Sequence, residues 1–599
     1  MSRPFRLVVY VVLLAVLGTG GWFVYQRTKE QAAQQPGGPD GVAPDGAKAG
    51  GKLVVLVVFD QLRGDYLDRW AEQFGPDGFE RMKAGGVWYS DCHLPYACTT
   101  TGPGHATAAT GAPPAVHGIV GNEWYDRAAA AVVYCAQPTR PFDRVPPLAA
   151  GGGKPMRGAA TGFSPERLLV ETVGDRLLAA NPRAKVVSLS IKDRTAVMMG
   201  GKTPTAAYCL DTRDGLFHTG SYYRDAPHPW VAEYNAGKPA DAWVGKEWTR
   251  FRTDLDYDAL AGPDAAPGEG FGVAQKRVFP HPTSGEKVAG PKYYAAVENS
   301  PFGNDLLFGL VKRAIAAENL GTNGETDLLC VSFSSNDLIG HNWGPDSWEV
   351  LDVTLRSDKL IGEFLTLLDG TVGRDNYVVA ITADHGVCPL PERKRYPAAA
   401  RVSVKDVVPP LVEALNETFG VPPAGPTRWF EAADADAEKP WPWLYLNAAS
   451  IKARDLDPDA VADYAAQWVG NRPFMLTAFT RKQIETDTLP PVSPGSEKEV
   501  RAVFERVKKA YHPARSGDVI GVPKPGVLLG SYPTGTSHGT PHAYDTHVPM
   551  LVYGYGVPAL GKRDRPVSAL IGAPILARAL GVAPPAGATE PVPAEMEGK

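Results

Sequence analysis

The chain has 599 residues, and its 61 lysines and arginines against 66 aspartates and glutamates give a formal net charge of −5. This balance excludes a strongly basic nucleic-acid binder, so we expect no nucleic acid as a specific partner. Hydrophobic residues make up 44% and charged residues 21% of the chain, which excludes an intrinsically disordered protein. The length suits either several domains or one elaborated α/β domain with a large core.

The N-terminal segment predicts export. Arg3 and Arg6 precede residues 7–25, an uncharged apolar run of 19 residues, close to the ~20 that span a bilayer. We interpret residues 1–25 as a signal peptide or, because no cleavage site stands out, as an N-terminal membrane anchor. The positive-inside rule then places the following chain outside the cytoplasm, in the periplasm. Residues 26–51, rich in Gln, Gly, Pro and Ala, are predicted to be a flexible linker.

An alternation of strand and helix patterns follows. Short runs rich in Val, Ile and Leu are typical of buried parallel strands and occupy residues 53–59, 185–191, 327–333, 377–382 and 548–553. Apolar residues at helical spacing predict helices over residues 165–179, 304–318, 347–368 and 404–419. We therefore predict an α/β fold in which helices flank a mostly parallel central sheet.

Two long stretches interrupt this alternation, at about residues 203–300 and 390–530, and both are rich in Pro, Gly, Trp and Tyr. We predict that they are loop or cap insertions over one end of the sheet. The main domain then spans residues 52–581, and the Pro- and Ala-rich tail over residues 582–599 is predicted to be disordered. None of the six cysteines forms a CxxC pair, so no disulfide framework is indicated.

Acidic residues and histidines follow three of the predicted strands. Asp60 follows the first, Asp337 and His341 follow the third, and Asp384 and His385 follow the fourth. Because loops beyond the carboxyl ends of parallel strands converge on one crevice, we expect these side chains to meet. Three buried carboxylates repel one another unless a cation neutralises them, and mixed Asp and His ligation suits Zn²⁺ better than Mg²⁺ or Ca²⁺.

Each of these residues also has a simpler interpretation. Asp60 alone is typical of a helix N-cap, and Asp384 alone is compatible with a turn. Asp337 and His341, four residues apart, are compatible with an exposed pair on a helix. Their occurrence together at the ends of neighbouring strands favours the metal site.

A sixth ligand is available in the segment SHGTPHAYDTHVP, residues 537–549, beside the last predicted strand. His538 is our candidate within this segment. His542 and His547 offer the same imidazole chemistry, so the residues alone leave the choice among the three histidines open.

A candidate nucleophile lies in PYACTTTGPGHATAATG, residues 95–111. Three hydroxyls, those of Thr99, Thr100 and Thr101, precede a Gly-Pro pair and a run of small helix formers. The N-terminus of a helix binds anions, and a hydroxyl beside a divalent cation ionises readily. The alternative is a threonine N-cap without chemistry, and the pattern leaves all three threonines open as nucleophiles.

Three further residues are candidates for binding an anion. GNEW contains Asn122, and SIKDR places Lys192 and Arg194 two residues apart just after the second predicted strand. In an extended chain such residues face the same way, so both cations can bind one anion. The planar guanidinium of Arg194 suits phosphate oxygens. The alternative is a cluster of surface charges.

Six motifs occur between residues 57 and 549. In chain order they are VVFDQLRGDYL, TTTGPGHATAATGAPPAVHGIVGNEW, SIKDRTA, SFSSNDLIGH, ITADHG and SHGTPHAYDTHVP. Together they resemble the alkaline phosphatase superfamily, in its nucleotide pyrophosphatase/phosphodiesterase branch. The resemblance is strongest to bacterial phosphate-irrepressible alkaline phosphatases with a threonine nucleophile. It implies an alkaline-phosphatase-like fold and a site with two zinc ions.

The resemblance also implies roles for individual residues. One zinc ion would be bound by Asp337, His341 and His538, and the other by Asp60, Asp384, His385 and the nucleophile Thr101. Asn122, Lys192 and Arg194 would contact the phosphate. The sequence departs from the family at Gly102, where the family often has a bulkier residue.

The expected function is zinc-dependent hydrolysis of small phosphate monoesters through a phosphothreonine intermediate, as an exported alkaline phosphatase. A monoester has one more anionic oxygen than a diester, so the cations Lys192 and Arg194 favour monoesters. The alternative is a phosphodiesterase or nucleotide pyrophosphatase that uses the same site. The CxPxR signature of sulfatases is absent from the sequence. An inactive binding module is disfavoured because all six metal ligands and Thr101 are present.

Overall fold

The computed structural model of the protein describes residues 52–148, 161–283, 288–421, 428–431, 442–492, 495–530 and 532–596. The predicted signal peptide or anchor, over residues 1–25, and the predicted linker, over residues 26–51, lie outside these ranges. Within them, no helix has both the length and the apolar character that a membrane span requires.

A sheet of ten strands forms the centre of the fold. The strands are β1 (Leu53–Phe59), β2 (Val87–Tyr89), β3 (Arg144–Val145), β4 (Val186–Ser190), β5 (Ala206–Asp211), β6 (Leu216–Gly220), β7 (Asp327–Phe333), β8 (Tyr377–Thr382), β9 (Met550–Gly554) and β10 (Gly561–Arg563). Their order across the sheet is β10-β2-β9-β8-β1-β7-β4-β5-β6-β3. The five strands from β8 to β5 in this order are mutually parallel.

The parallel strands are buried on both faces, which explains why they are continuous apolar runs in the sequence. All seven residues of β1 are buried. The last predicted strand runs the other way, because β9 pairs with β8 in antiparallel register, Met550 opposite Thr382. The parallel direction predicted for residues 548–553 is therefore wrong. The chain enters β9 at the edge of the sheet where β8 ends. For this reason β9 runs in the direction opposite to β8.

Three helices matter for the site: α1 (Thr101–Thr110), α2 (Asp193–Gly200) and α3 (Ser335–Trp343). The other helices of at least eight residues in the described ranges are Val173–Ala180, Pro229–Ala236, Pro291–Glu298, Pro301–Glu318, Trp348–Thr371, Val408–Phe419, Pro458–Gly470, Glu497–Ala510 and Gly572–Leu580. The helix predicted from residue 165 begins only at Val173, because a capping box between Thr172 and Asp175 fixes its start there.

Both predicted insertions contain more regular structure than their composition indicates. The first, over residues 203–300, begins with β5 and β6, which extend the central sheet. The second, over residues 390–530, contains a three-stranded antiparallel sheet and a hydrophobic core of its own. The strands of that sheet are Trp443–Leu444, Met475–Thr480 and Val519–Pro523. Short strands between Pro- and Gly-rich segments carry too weak a pattern to be recognised in the sequence.

The C-terminal tail, for which the composition predicts disorder, makes specific contacts within residues 582–596. The backbone N–H of Thr589 donates to the carbonyl of Gly111, and Met596 is buried against the main core. Glu595 forms an ion pair with Arg565. These contacts hold a segment whose composition alone predicts no structure.

Candidate active site

The ends of neighbouring parallel strands bring the predicted ligands together. Asp60 follows β1, Asp337 lies in the first turn of α3 after β7, and Asp384 and His385 follow β8. These strands are adjacent and parallel, so their carboxyl ends share one edge of the sheet. Ligand atoms of Asp60, Asp384 and His385 all lie within 4.8 Å of one another. The expected convergence of these side chains is therefore observed.

A second group of ligand atoms surrounds Asp337. Asp337, His385 and His538 have ligand atoms within 4.8 Å of one another. The Nε2 atom of His341, one helical turn after Asp337, lies 3.2 Å from Asp337 Oδ1. The rings of His385 and His538 are stacked with centroids 3.5 Å apart, so His385 borders both groups. Of the three histidines that the sequence left open, His538 is the one in these groups; His542 instead contacts the carbonyl of Pro523.

The hydrogen bonds of the histidines fit metal binding. The Nδ1 atoms of His341, His385 and His538 lie 2.7, 2.9 and 2.7 Å from the backbone carbonyls of Thr536, Gly386 and Thr99. When Nδ1–H donates to a carbonyl, the lone pair on Nε2 is free to bind a metal ion.

The carboxylates support the same interpretation. Each Nε2 faces a carboxylate oxygen, at 3.2 Å for His341, 3.3 Å for His385 and 3.7 Å for His538. Two facing lone pairs repel unless a cation or a proton lies between them. Asp60 Oδ1 and Asp384 Oδ2 are buried and have no hydrogen-bond partner among the described residues. This set of nitrogen and oxygen donors fits Zn²⁺.

Lys192 lies among the carboxylates. Its Nζ atom is 2.7 Å from Asp60 Oδ2 and 2.5 Å from Asp337 Oδ2. Burial raises the pKa of Asp60 to about 6, and the charge of Asp384 adds to this effect, whereas Lys192 opposes it. Burial would also raise the pKa of Asp337, but His341 and Lys192 hold it well below its ordinary value. The site therefore needs positive charge to keep its carboxylates ionised.

Thr101 is the threonine that faces this centre. It is the first residue of α1, and its Oγ1 lies 3.5 Å from His385 Nε2 and accepts a hydrogen bond of 3.3 Å from Arg194 Nη2. The hydroxyl of Thr99 instead donates to the carbonyl of Thr540. Thr100 is the N-cap of the helix. The predicted combination of a hydroxyl and a helix N-terminus is therefore present at Thr101.

Asn122 lies beside Thr101 because residue 102 has no side chain. The Oδ1 atom of Asn122 accepts a hydrogen bond of 2.7 Å from the backbone N–H of Gly102. A Cβ atom on Gly102 would lie 3.0 Å from Cys135 Sγ and 3.2 Å from Asn122 Oδ1. The absence of a side chain at Gly102 therefore leaves room for Asn122 and Cys135 at the helix start.

The local geometry of Lys192 and Arg194 differs from the expected extended chain. Helix α2 begins at Asp193, so Lys192 is its N-cap and Arg194 lies in its first turn. Both side chains nevertheless reach the site, Lys192 at the carboxylates and Arg194 at Thr101. Asp193 accepts a hydrogen bond of 2.5 Å from the hydroxyl of Tyr134. Tyr134 belongs to the hairpin Glu123–Asp126 and Ala131–Tyr134, whose sequence contained no signal for such a contact.

Two further residues of the site lie within the quoted motifs but were not predicted. The ring of His105 is buried, with Nδ1 2.9 Å from the carbonyl of Thr101 and 3.2 Å from Asp384 Oδ2. Gln61 contacts Asp384 through its backbone and Asp337 through its side chain. The position of His105 four residues after Thr101 was an available signal. Glutamine has no such signal because it is not a typical metal ligand.

The first insertion reaches the edge of the site. The backbone N–H of Gly270 donates to the carbonyl of Asn342, the residue after His341. The N–H of Gly535 donates to the carbonyl of Gly268, and the N–H of Thr536 donates to the carbonyl of His341. The loop around Gly268 therefore packs against both segments that carry the histidines of the second group.

A family model matches this chain over residues 54–546, and its description is type I phosphodiesterase / nucleotide pyrophosphatase. Because the match covers most of the chain, the protein belongs to this family of phosphoesterases. The resemblance to the nucleotide pyrophosphatase/phosphodiesterase branch of the alkaline phosphatase superfamily is thereby confirmed.

Two named relatives and one crystal structure are similar to this chain over most of its length. The alkaline phosphatase PafA of Elizabethkingia meningoseptica is 30% identical over 540 residues, which cover 90% of this chain and 93% of PafA. The alkaline phosphatase PhoV of Synechococcus elongatus is 33% identical over 544 residues, which cover 88% of this chain and 89% of PhoV. The crystal structure of wild-type PafA matches with a TM-score of 0.80, over 92% of this chain and 99% of PafA, at 30% identity. This match confirms the predicted α/β fold with its mostly parallel sheet.

Proposed function

We propose that this protein is an alkaline phosphatase that hydrolyses phosphate monoesters through Thr101 at a centre for two zinc ions. The observation that carries the proposal is the position of the Thr101 hydroxyl, at the start of a buried helix, between His385 and Arg194. Relatives that are 30% and 33% identical over about nine tenths of this chain are named alkaline phosphatases. Membership of the phosphoesterase family agrees with this activity.

The residues for the metal ions are those of the two groups. Asp60, Asp384 and His385 would hold one zinc ion with Thr101, and Asp337, His341 and His538 would hold the other. When bound, the two ions supply positive charge that stabilises the anionic oxygens of the reaction and promotes ionisation of a hydroxyl. The buried, unpartnered oxygens of Asp60 and Asp384 and the free Nε2 lone pairs support this assignment.

Thr101 is the nucleophile in this proposal. Its Oγ1 gives up its proton to solvent and attacks phosphorus in line. The ester oxygen leaves with the bonding electron pair and takes up a proton from solvent, and the phosphoryl group remains on Thr101 as a phosphothreonine. A water molecule then attacks the same phosphorus, the Thr101 hydroxyl is regenerated, and inorganic phosphate leaves. The carbonyl of Thr101 is fixed by the buried ring of His105, which orients the start of the helix.

Arg194 and Asn122 would bind the phosphoryl oxygens. The Nε atom of Arg194 is buried and has no hydrogen-bond partner among the described residues, so this guanidinium keeps a donor for an anion. Asn122 is oriented by the N–H of Gly102. Lys192 adds a second positive charge, and a doubly charged monoester gains more from it than a singly charged diester. We also propose, from residues 1–25, that the enzyme acts after export from the cytoplasm.

Substitution of the nucleophile tests this proposal. In Thr101→Ala we expect kcat for a phosphate monoester to fall by at least roughly 10³-fold. Zinc content, measured on the same samples, should change far less, because three protein ligands remain in each group. Thr99→Ala is the matched control, since its hydroxyl is bonded to the carbonyl of Thr540. Turnover by Thr101→Ala at the wild-type rate would overturn the mechanism.

The second candidate function is phosphodiester hydrolysis, which the description of the family favours. The two functions differ in the charge that the site must neutralise. Double substitution of Lys192 and Arg194 by alanine should reduce monoester hydrolysis more than diester hydrolysis. An unchanged ratio would show that these cations do not select the substrate.

A further inference from the structure

We propose that Gln61 is a positioning residue that holds one carboxylate from each metal group in place for metal binding. This inference rests on the proposed zinc centre. Gln61 directly follows the ligand Asp60, is buried, and contacts both groups with two different donors. No other described residue outside the predicted ligands and Lys192 hydrogen-bonds to carboxylates of both groups.

The first contact comes from the backbone. The N–H of Gln61 donates to Asp384 Oδ1 over 3.0 Å, while the other oxygen of that carboxylate, Oδ2, has no hydrogen-bond partner among the described residues. Gln61 adopts a φ of 68°, in the left-handed region that residues with a Cβ rarely occupy. Such backbone strain persists only where the surrounding structure imposes it, and it is concentrated at functional sites.

The second contact comes from the side chain. The Nε2 atom of Gln61 donates to Asp337 Oδ1 over 2.7 Å. The Nε2 atoms of His341 and His538 face this same oxygen. The other oxygen of Asp337 accepts from Lys192. Both oxygens of Asp337 are therefore fixed, and the orientation of Oδ1 toward the histidines depends on Gln61.

Helix α3 has a matching gap for the amide. A Cβ atom on Gly340 would lie 1.8 Å from Gln61 Oε1. Gly340 stands between the ligands Asp337 and His341 in the sequence. The Gln61 side chain thus fills a space that any larger residue at position 340 would close.

A neutral amide suits this position. It donates a hydrogen bond to a carboxylate without adding a charge or competing as a ligand, whereas a glutamate there would repel Asp337. Groups that orient metal ligands in this way typically change metal affinity by roughly 10–100-fold when they are removed. We expect an effect of this size on zinc binding at Gln61.

Gln61→Gly separates positioning from folding. This substitution removes the amide and also relieves the positive φ, which glycine adopts without strain. We expect zinc affinity, measured by competition with a chromophoric chelator, to weaken by roughly 10–100-fold. The melting temperature of the metal-free protein should stay the same or rise. Asn319→Gly is the matched control, because Asn319 also has a positive φ, of 52°, and caps a helix that carries no ligand.

Gly340→Ala provides a second, independent perturbation of the same contact. The new Cβ should displace the amide and weaken zinc binding. In the Gln61→Gly background the same substitution should weaken it much less, because the clashing atom is gone. Equal effects in both backgrounds would show that Gly340→Ala acts on α3 itself.

The failure of this inference is distinguishable from failure of the proposed function. If wild-type protein binds fewer than two zinc ions per chain, the proposed centre is wrong. If wild-type protein binds two and Gln61→Gly binds two with unchanged affinity, only the role of Gln61 is overturned. Loss of folding in Gln61→Gly, seen as a lower melting temperature without metal, would also contradict a positioning role.

Discussion

Two packed regions of the molecule bury different kinds of groups. One is the edge of the sheet at which β1, β7 and β8 end, and the other is the insertion over residues 390–530. At the edge, three carboxylates are buried side by side, and two of their oxygens have no hydrogen-bond partner among the described residues. The core of the insertion consists of aliphatic and aromatic side chains, among them Val404, Leu411 and Leu415. The edge is arranged for binding a cation, whereas the insertion is arranged for stability.

The two regions are nevertheless connected. The helix Glu497–Ala510 of the insertion supports the nucleophile segment, because the N–H of Ala97 donates to the carbonyl of Arg506. The guanidinium of Arg506 also bonds to the carbonyl of Pro541, in the loop after His538. These contacts join the insertion to the segments that carry Thr101 and His538.

Removal of the metal ions should have the largest effect, and this effect should arise at the edge of the sheet. Chelation of zinc should abolish monoester hydrolysis and lower the melting temperature, because the carboxylates at the edge lose their compensating charge. Readdition of zinc should restore both. Full activity in protein whose metal content has been measured as zero would contradict the proposed centre.

Arg194→Ala should have the next largest effect. Removal of a buried donor aimed at developing negative charge typically lowers kcat by roughly 10²–10³-fold. We expect a fall of this size, with zinc affinity close to the wild-type value because Arg194 contacts Thr101 rather than a ligand carboxylate. Arg127→Ala, which removes an ion pair with Asp518 of the insertion, is the control and should leave kcat unchanged.

Tyr134→Phe should have a smaller effect on kcat, which acts through helix α2, the element that also carries Arg194. The lost hydroxyl leaves Asp193 without one of its hydrogen bonds, and Asp193 is the first residue of α2, next to Arg194. A hydrogen bond of this kind contributes about 0.5–1.5 kcal/mol, so we expect kcat to fall by about 10-fold or less. A loss as large as that of Arg194→Ala would indicate that Tyr134 itself contacts the substrate.

Leu411→Ala should change stability while leaving zinc affinity unaltered. Leu411 is fully buried in the core of the insertion, and such truncations cost about 2–5 kcal/mol in the free energy of unfolding. Leu329→Ala, in β7, is the matched truncation in the main core. If both variants weaken zinc binding equally, the insertion and the edge are one cooperative unit.

The sequence predicted the parts of the fold in which one physical pattern dominates. Buried parallel strands are continuous apolar runs, so residues 53–59, 327–333 and 377–382 were predicted with their observed bounds. An apolar run does not encode its direction, so the antiparallel course of residues 548–553 was missed. The short strands of the second insertion, such as Trp443–Leu444, have no pattern long enough to detect.

The residues of the candidate site also fall into those that the sequence predicted and those that it did not. Asp and His residues at strand ends are recognisable because their residue types carry the chemistry. Arg194 was found by its type, although it lies in a helix rather than in extended chain. Gln61 was not found, because its contacts arise from a left-handed backbone turn and from a gap beside Gly340. Tyr134 reaches the site from a hairpin that only the tertiary fold brings near α2.

A comparison of two substrates on zinc-loaded protein tests most directly whether the protein hydrolyses phosphate monoesters through Thr101. Rates should be measured for an aryl phosphate monoester and the matching diester, on wild type and on Thr101→Ala at equal zinc content. We expect a large preference of the wild type for the monoester and near-complete loss of that activity in Thr101→Ala. A preference for the diester, or monoester turnover that persists without the Thr101 hydroxyl, would contradict the proposed function.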